Sequence, residues 1–218
     1  MLDRFHRTSL FAGPLAVVLW IVGLVIYQGS TTNLSDKASD QQILAWVQGN
    51  TNKILLGGWL FALGCLCFIW FVVALRSYLL EAEAGPGTLS TIALAGGLAA
   101  AIFGLLQPGG DMALAINKND VSPATAGALH HTSDMFFVGA ELAAILLLAA
   151  VGILAFRTAI LPKWWAALSL VVAVALVIGP IGWAALIFGL PIWTIGTTLI
   201  LTLRRGTARR TAREPVTA

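Results

Sequence analysis

Apolar positions in this chain neither alternate nor recur on a single face. They run through long uncharged blocks at residues 10–27, 54–75, 89–106, 135–156 and 164–203. A membrane-crossing helix needs about 20 such residues, so the last block is too long for one span and must hold two. Residues 179–182, GPIG, supply the glycines and proline that a tight turn prefers, and they divide it. The pattern predicts an all-α membrane protein: a bundle of six transmembrane helices over about 10–27, 54–75, 89–106, 135–156, 164–178 and 183–203. Residues 1–203 then form one transmembrane domain, and 204–218 a basic, disordered tail.

Two polar interruptions are long enough to carry structure. In SDQQILAWVQGN (39–50), Ser39 and Gln42 have capping-box spacing, and Gly49–Asn50 marks a stop. Ile43, Leu44, Trp46 and Val47 share one side of such a helix, which predicts a short amphipathic helix on the outer leaflet. In QPGGDMALAI (107–116), Pro108 and two glycines end the third span. MALAI then either re-enters the membrane shallowly or packs over the bundle.

Composition agrees with this reading. The chain is 58% hydrophobic and only 11% charged, too few charges to cover a soluble domain. Of its 13 Lys and Arg, only Lys37, Lys53 and Lys118 fall in the segments on one side of the six spans. The positive-inside bias therefore puts both termini in the cytoplasm and predicts a multi-pass protein of the plasma (inner) membrane. The charged start, MLDRFHRTSLF, resembles a secretory n-region, but no convincing cleavage site follows Tyr27, so a retained first span is expected. The lipid bilayer is the expected partner. No basic stripe interleaved with aromatics points to nucleic acid.

Small residues mark where helices approach. Gly96, Ala100 and Gly104 make one ridge, and Gly182, Gly189 and Gly196 another. Both read as seams within the chain before they read as contacts with a second copy or a membrane partner. Pro191 predicts a kink, and Trp164 and Trp165 beside Lys163 suit an interfacial belt. Trp183 and Trp193 fit either an interface or the bundle interior. Cys65 and Cys67 point about 200° apart on a helix and cannot bridge.

The candidate chemistry lies in ALHHTSDMFFVGAELAA (128–144). His130, Asp134 and Glu141 fall within about 40° of one another on a helix, with Glu141 about 10 Å deeper than Asp134. Glu141 is the one ionisable residue placed well inside the apolar spans, where an uncompensated carboxylate is costly. It is either a neutral packing residue or part of a site for a ligand, cation or proton. A divalent metal held by His130, His131 and Asp134, completed by Asp111, is the weaker reading. Glu141 is too distant along the helix to share that ion. No HExxH, GxSxG or P-loop pattern is present, so no catalytic residue is assigned.

Residues 156–183, FRTAILPKWWAALSLVVAVALVIGPIGW, resemble an uncharacterised family of bacterial multi-pass membrane proteins. The likeness rests on the Arg-small-x-x-Leu-Pro-basic-Trp turn before an apolar helix that ends in Gly and Pro. It implies membrane topology and carries no activity. The leading expectation is a non-enzymatic protein that binds or conducts a small ligand, cation or proton through an outward-facing polar pocket at Glu141, Asp134 and Asp111, or that serves as a membrane partner subunit. The alternatives are an intramembrane metal-dependent enzyme and a purely structural or assembly protein.

Overall fold

The computed structural model describes residues 9–31 and 37–211, with side chains described except at 28–31, 180 and 205–211. It is all-helical, with no strand among the described residues. In chain order the helices are α1 (Ala12–Thr31), α2 (Asp40–Glu83), α3 (Thr88–Leu106), α4 (Gly109–Ile116), α5 (Pro123–Thr158), α6 (Lys163–Val177), α7 (Gly179–Ala184) and α8 (Leu190–Thr211). A π-helical turn, Ala185–Gly189, joins the last two. Four stretches are long and apolar enough to cross a membrane: Asp40–Glu83, Thr88–Ile116, Pro123–Thr158 and Ile181–Arg204. Ala12–Tyr27 and Lys163–Val177 are shorter apolar helices, so a count of six fits.

The apolar residues of α2 go both ways. Phe68, Phe71, Val72 and Leu75 are buried, while Leu56, Trp59, Leu63, Leu66, Trp70 and Val73 form an exposed stripe. A helix apolar on every side needs an apolar surround beyond its neighbours, which suggests a membrane protein. The 44 residues of α2 and the 36 of α5 extend about 66 and 54 Å, well beyond a hydrocarbon layer of about 30 Å. Their surplus ends meet. Ile43, Trp46, Val47 and Ile54 of α2, Leu114 and Ala115 of α4, and Ala126 of α5 form a second apolar cluster capping the bundle.

The segment from residue 39 starts with the expected reciprocal capping box between Ser39 and Gln42. It is one helix with the following span, bent at Asn50 (φ −123°, ψ 17°). Its apolar face is buried in the cap cluster by protein. The 107–116 segment packs over the bundle as α4, burying Asp111, Leu114 and Ala115.

Both glycine ridges are used inside the chain. A Cβ on Gly96 would meet the Ala143 carbonyl and Leu147 nitrogen of α5, and one on Gly196 would strike the Trp165 ring of α6. That contact corrects the interfacial placement of Trp165. It is 6% exposed, and its Nε1 donates to Thr197 Oγ1 at 2.9 Å. Trp164 stays 63% exposed, as an interfacial tryptophan would. Trp193 is fully buried and donates to Ser169 Oγ at 2.8 Å, whereas Trp183 is exposed. The distortion expected at Pro191 takes the form of the π turn just before it. Proline has no N–H, and its ring clashes with the carbonyl four residues back, so the helix widens there. The last helix runs on to Thr211; the rest of the expected tail, 212–218, lies outside the described residues.

Candidate functional site

The site is assembled by close backbone approaches. A Cβ on Gly57 of α2 would lie 2.7 Å from the Gly23 carbonyl and 2.9 Å from the Tyr27 nitrogen of α1. Only glycine permits this crossing, and it sets Tyr27 beside the N-terminal half of α2. Gly110 does the same between α4 and α5: its Cβ would meet the Leu129 carbonyl at 2.5 Å and Ser133 Oγ at 2.8 Å. Met112 of α4 fills the space beside Gly58 of α2. The short α4 is thus pressed into the bundle from two sides, with Asp111 in its first turn, where the helix dipole favours a carboxylate.

Asp111 is 1% exposed. The Tyr27 hydroxyl donates to its Oδ2. His130 Nδ1, from α5, lies 2.9 Å from Oδ1. A carboxylate can only accept, so Nδ1 carries the proton of this bond and Nε2 is the ring's remaining nitrogen. Trp46 roofs the group edge-on, its ring 6.1 Å from Tyr27 and 5.7 Å from His130. Residues from α1, α2, α4 and α5 therefore converge on one buried carboxyl. The cationic side of this cluster is an imidazole, and among the described residues no Lys or Arg bonds Asp111.

His130 lies on the part of α5 that precedes the apolar stretch 135–156. Its pKa is raised, chiefly by the hydrogen bond to Asp111; burial opposes the shift, and the charges of Asp111 and Asp134 add to it. The ring keeps 22% of its side-chain exposure, so it can exchange protons with solvent. The arrangement is chemically an oriented, proton-accepting imidazole backed by a buried acid.

The other expected site residues lie elsewhere. Asp134 and His131 are both on the surface, 71% and 59% exposed, with a loose contact of 3.8 Å between them. Among the described residues no three His, Cys, Asp or Glu side chains gather in a way that could hold a metal. Glu141 is half-buried against Gly182 of α7, with Oε1 3.1 Å from where a Gly182 Cβ would stand. The structure joins Asp111 to His130 and leaves Asp134 and Glu141 as separate features of α5. Tyr27 and Trp46 were not singled out for this cluster from the sequence. Each carried a signal nonetheless, one an aromatic closing the first span and the other the largest residue on the amphipathic face.

Comparison with protein-family models, with curated proteins and with solved structures finds no match to this chain.

Proposed function

We propose that the chain is a multi-pass protein of the bacterial plasma membrane, with both termini cytoplasmic, that takes up protons at an outward-facing site formed by Asp111 and His130. The charge bias supports the orientation, since of the 13 Lys and Arg only Lys37, Lys53 and Lys118 fall in the sequence segments that join the spans on the α4 side. In this frame the segment 39–50 borders the outer leaflet while its apolar face closes the site.

One observation carries the reading. A nearly inaccessible carboxyl is shared between a tyrosine hydroxyl and a histidine, and among the described residues no fixed cation bonds it. Buried charges are normally paired, and among the described residues the ionisable partner here is one that titrates near neutrality. Both Asp111 oxygens already accept bonds, so the simplest event at this site is protonation of His130. A proton-dependent binder or conductor follows more directly from this than an enzyme does, because no nucleophile hydrogen-bonds to His130.

The test is histidine NMR on protein in nanodiscs, with the His130 signal identified by its loss in His130→Gln. The His130 titration should lie above the ordinary histidine range and return towards it in Asp111→Asn. In right-side-out vesicles buffered inside, it should follow the external pH. Unchanged titration in Asp111→Asn, or titration that follows the internal pH, would overturn the reading.

A further inference from the structure

A second site lies where the chain breaks between α6 and α7, remote along α5 from the Asp111–His130 pair and independent of it. Ile178 is extended (φ −90°, ψ 96°), and α6 stops at Val177. The amide that would regularly bond the Leu176 carbonyl belongs to Pro180, which has no N–H. Leu176 therefore presents a carbonyl oxygen at the negative end of a helix dipole. Glu141 reaches the same place from α5. Its Oε1 and the Leu176 oxygen each lie 3.1 Å from the point where Gly182 lacks a Cβ. Glu141 forms no hydrogen bond with any described residue. Around it Val138, Leu142, Ile178 and Ile181 are exposed apolar side chains. The π turn Ala185–Gly189 follows directly, and such turns gather at functional positions.

We infer that the Glu141 carboxylate and the Leu176 carbonyl, which the bare backbone of Gly182 lets approach one another, bind a small monovalent metal cation, with Na⁺ as the fitting ion. The donors are oxygens only, one carboxylate and one carbonyl, which suits a hard cation. A single negative charge in an apolar surround is neutralised by a single positive one, while a divalent ion would leave a net charge there. Broken helices that offer carbonyls beside an acidic side chain are a general way to hold such ions within a membrane protein.

Thermal unfolding of the full chain in nanodiscs, in NaCl or choline chloride at equal ionic strength, tests the site. At ten times its dissociation constant, Na⁺ should raise the midpoint by roughly 3–6 °C relative to choline. Glu141→Gln should abolish that increment, and so should Gly182→Ala, which keeps the charge but sets a Cβ 3.1 Å from both oxygens and forces them apart. Equal midpoints in the two salts for the wild type overturn the inference, as does a larger rise with Ca²⁺ than with Na⁺. If the variants do not fold, the wild type alone decides through carbodiimide modification of Glu141, read by mass spectrometry. Slower modification in Na⁺ than in choline supports a cation site; equal rates show a carboxyl that takes only a proton, and overturn it.

Discussion

The interface between α6 and α8 and the cap above α4 both bury polar side chains, and they do so differently. Between α6 and α8 every donor is neutral and fixed: Trp165 donates to Thr197, Trp193 to Ser169, and Ser169 in turn to the Trp165 carbonyl. Under the cap, Asp111 is held by Tyr27 and His130, so the state of the bond depends on protons. The first arrangement locks two helices whatever the conditions, because indole and hydroxyl groups do not titrate in the physiological range. The second responds to its surroundings. Glycines allow both, since Gly196 admits the Trp165 ring and Gly110 admits α4 against α5.

The comparison can be broken from either side. Asp111→Ala should do the most damage. It removes the carboxylate that the Tyr27 hydroxyl and the His130 ring share, at a cost of about 3–5 kcal/mol in unfolding free energy. Gly57→Ala should follow at about 1–3 kcal/mol, because its Cβ meets backbone atoms of α1 that cannot move aside. Its diagnostic mark is a weakened Tyr27–Asp111 bond, visible as a His130 titration altered without any change to His130 itself. Ser169→Ala tests the neutral interface. Leaving Trp193 Nε1 without its acceptor should cost about 1 kcal/mol at every pH.

The pH dependence sharpens the contrast. Folding raises the His130 pKa, so the stabilisation from its charged pair with Asp111 is fully present below the unfolded-state pKa. It is lost as pH rises through the higher folded value. Stability should therefore fall across neutrality and into the mildly alkaline range in the wild type. In His130→Gln that slope should be absent, while in Ser169→Ala it should persist. The ring is partly exposed, so screening keeps this effect modest. Asp134→Asn should be the mildest change, within about 0.5 kcal/mol, since its carboxylate is largely exposed and only 3.8 Å from His131 at best. A larger loss there would show that this rim of α5 supports more than its contacts suggest.

Much of the architecture was legible because apolar runs report helices directly. The expected turn at 179–182 is instead the first turn of α7, with the break one residue earlier at Ile178. That break, the capping box of Ser39 and Gln42 and the distortion near Pro191 each follow from the chemistry of one or two local residues. The placement of Trp165 was not legible. An interfacial tryptophan and a buried one have the same neighbours in sequence, and only Gly196 from another helix distinguishes them. The candidate site shows the same limit. His130, Asp134 and Glu141 share a helical stripe, but sharing a stripe on one helix does not decide what that stripe meets. In the fold, one of the three meets Asp111, one meets solvent and one meets Gly182.

The sequence by itself determined that this chain is a set of apolar helices and where most of them start and stop, because helix propensity, capping and hydrophobic length are local properties. Only the tertiary structure decided which polar groups face one another. That depends on where backbones come close, at Gly57, Gly110, Gly182 and Gly196, and a glycine in a sequence does not reveal what will occupy the space it leaves.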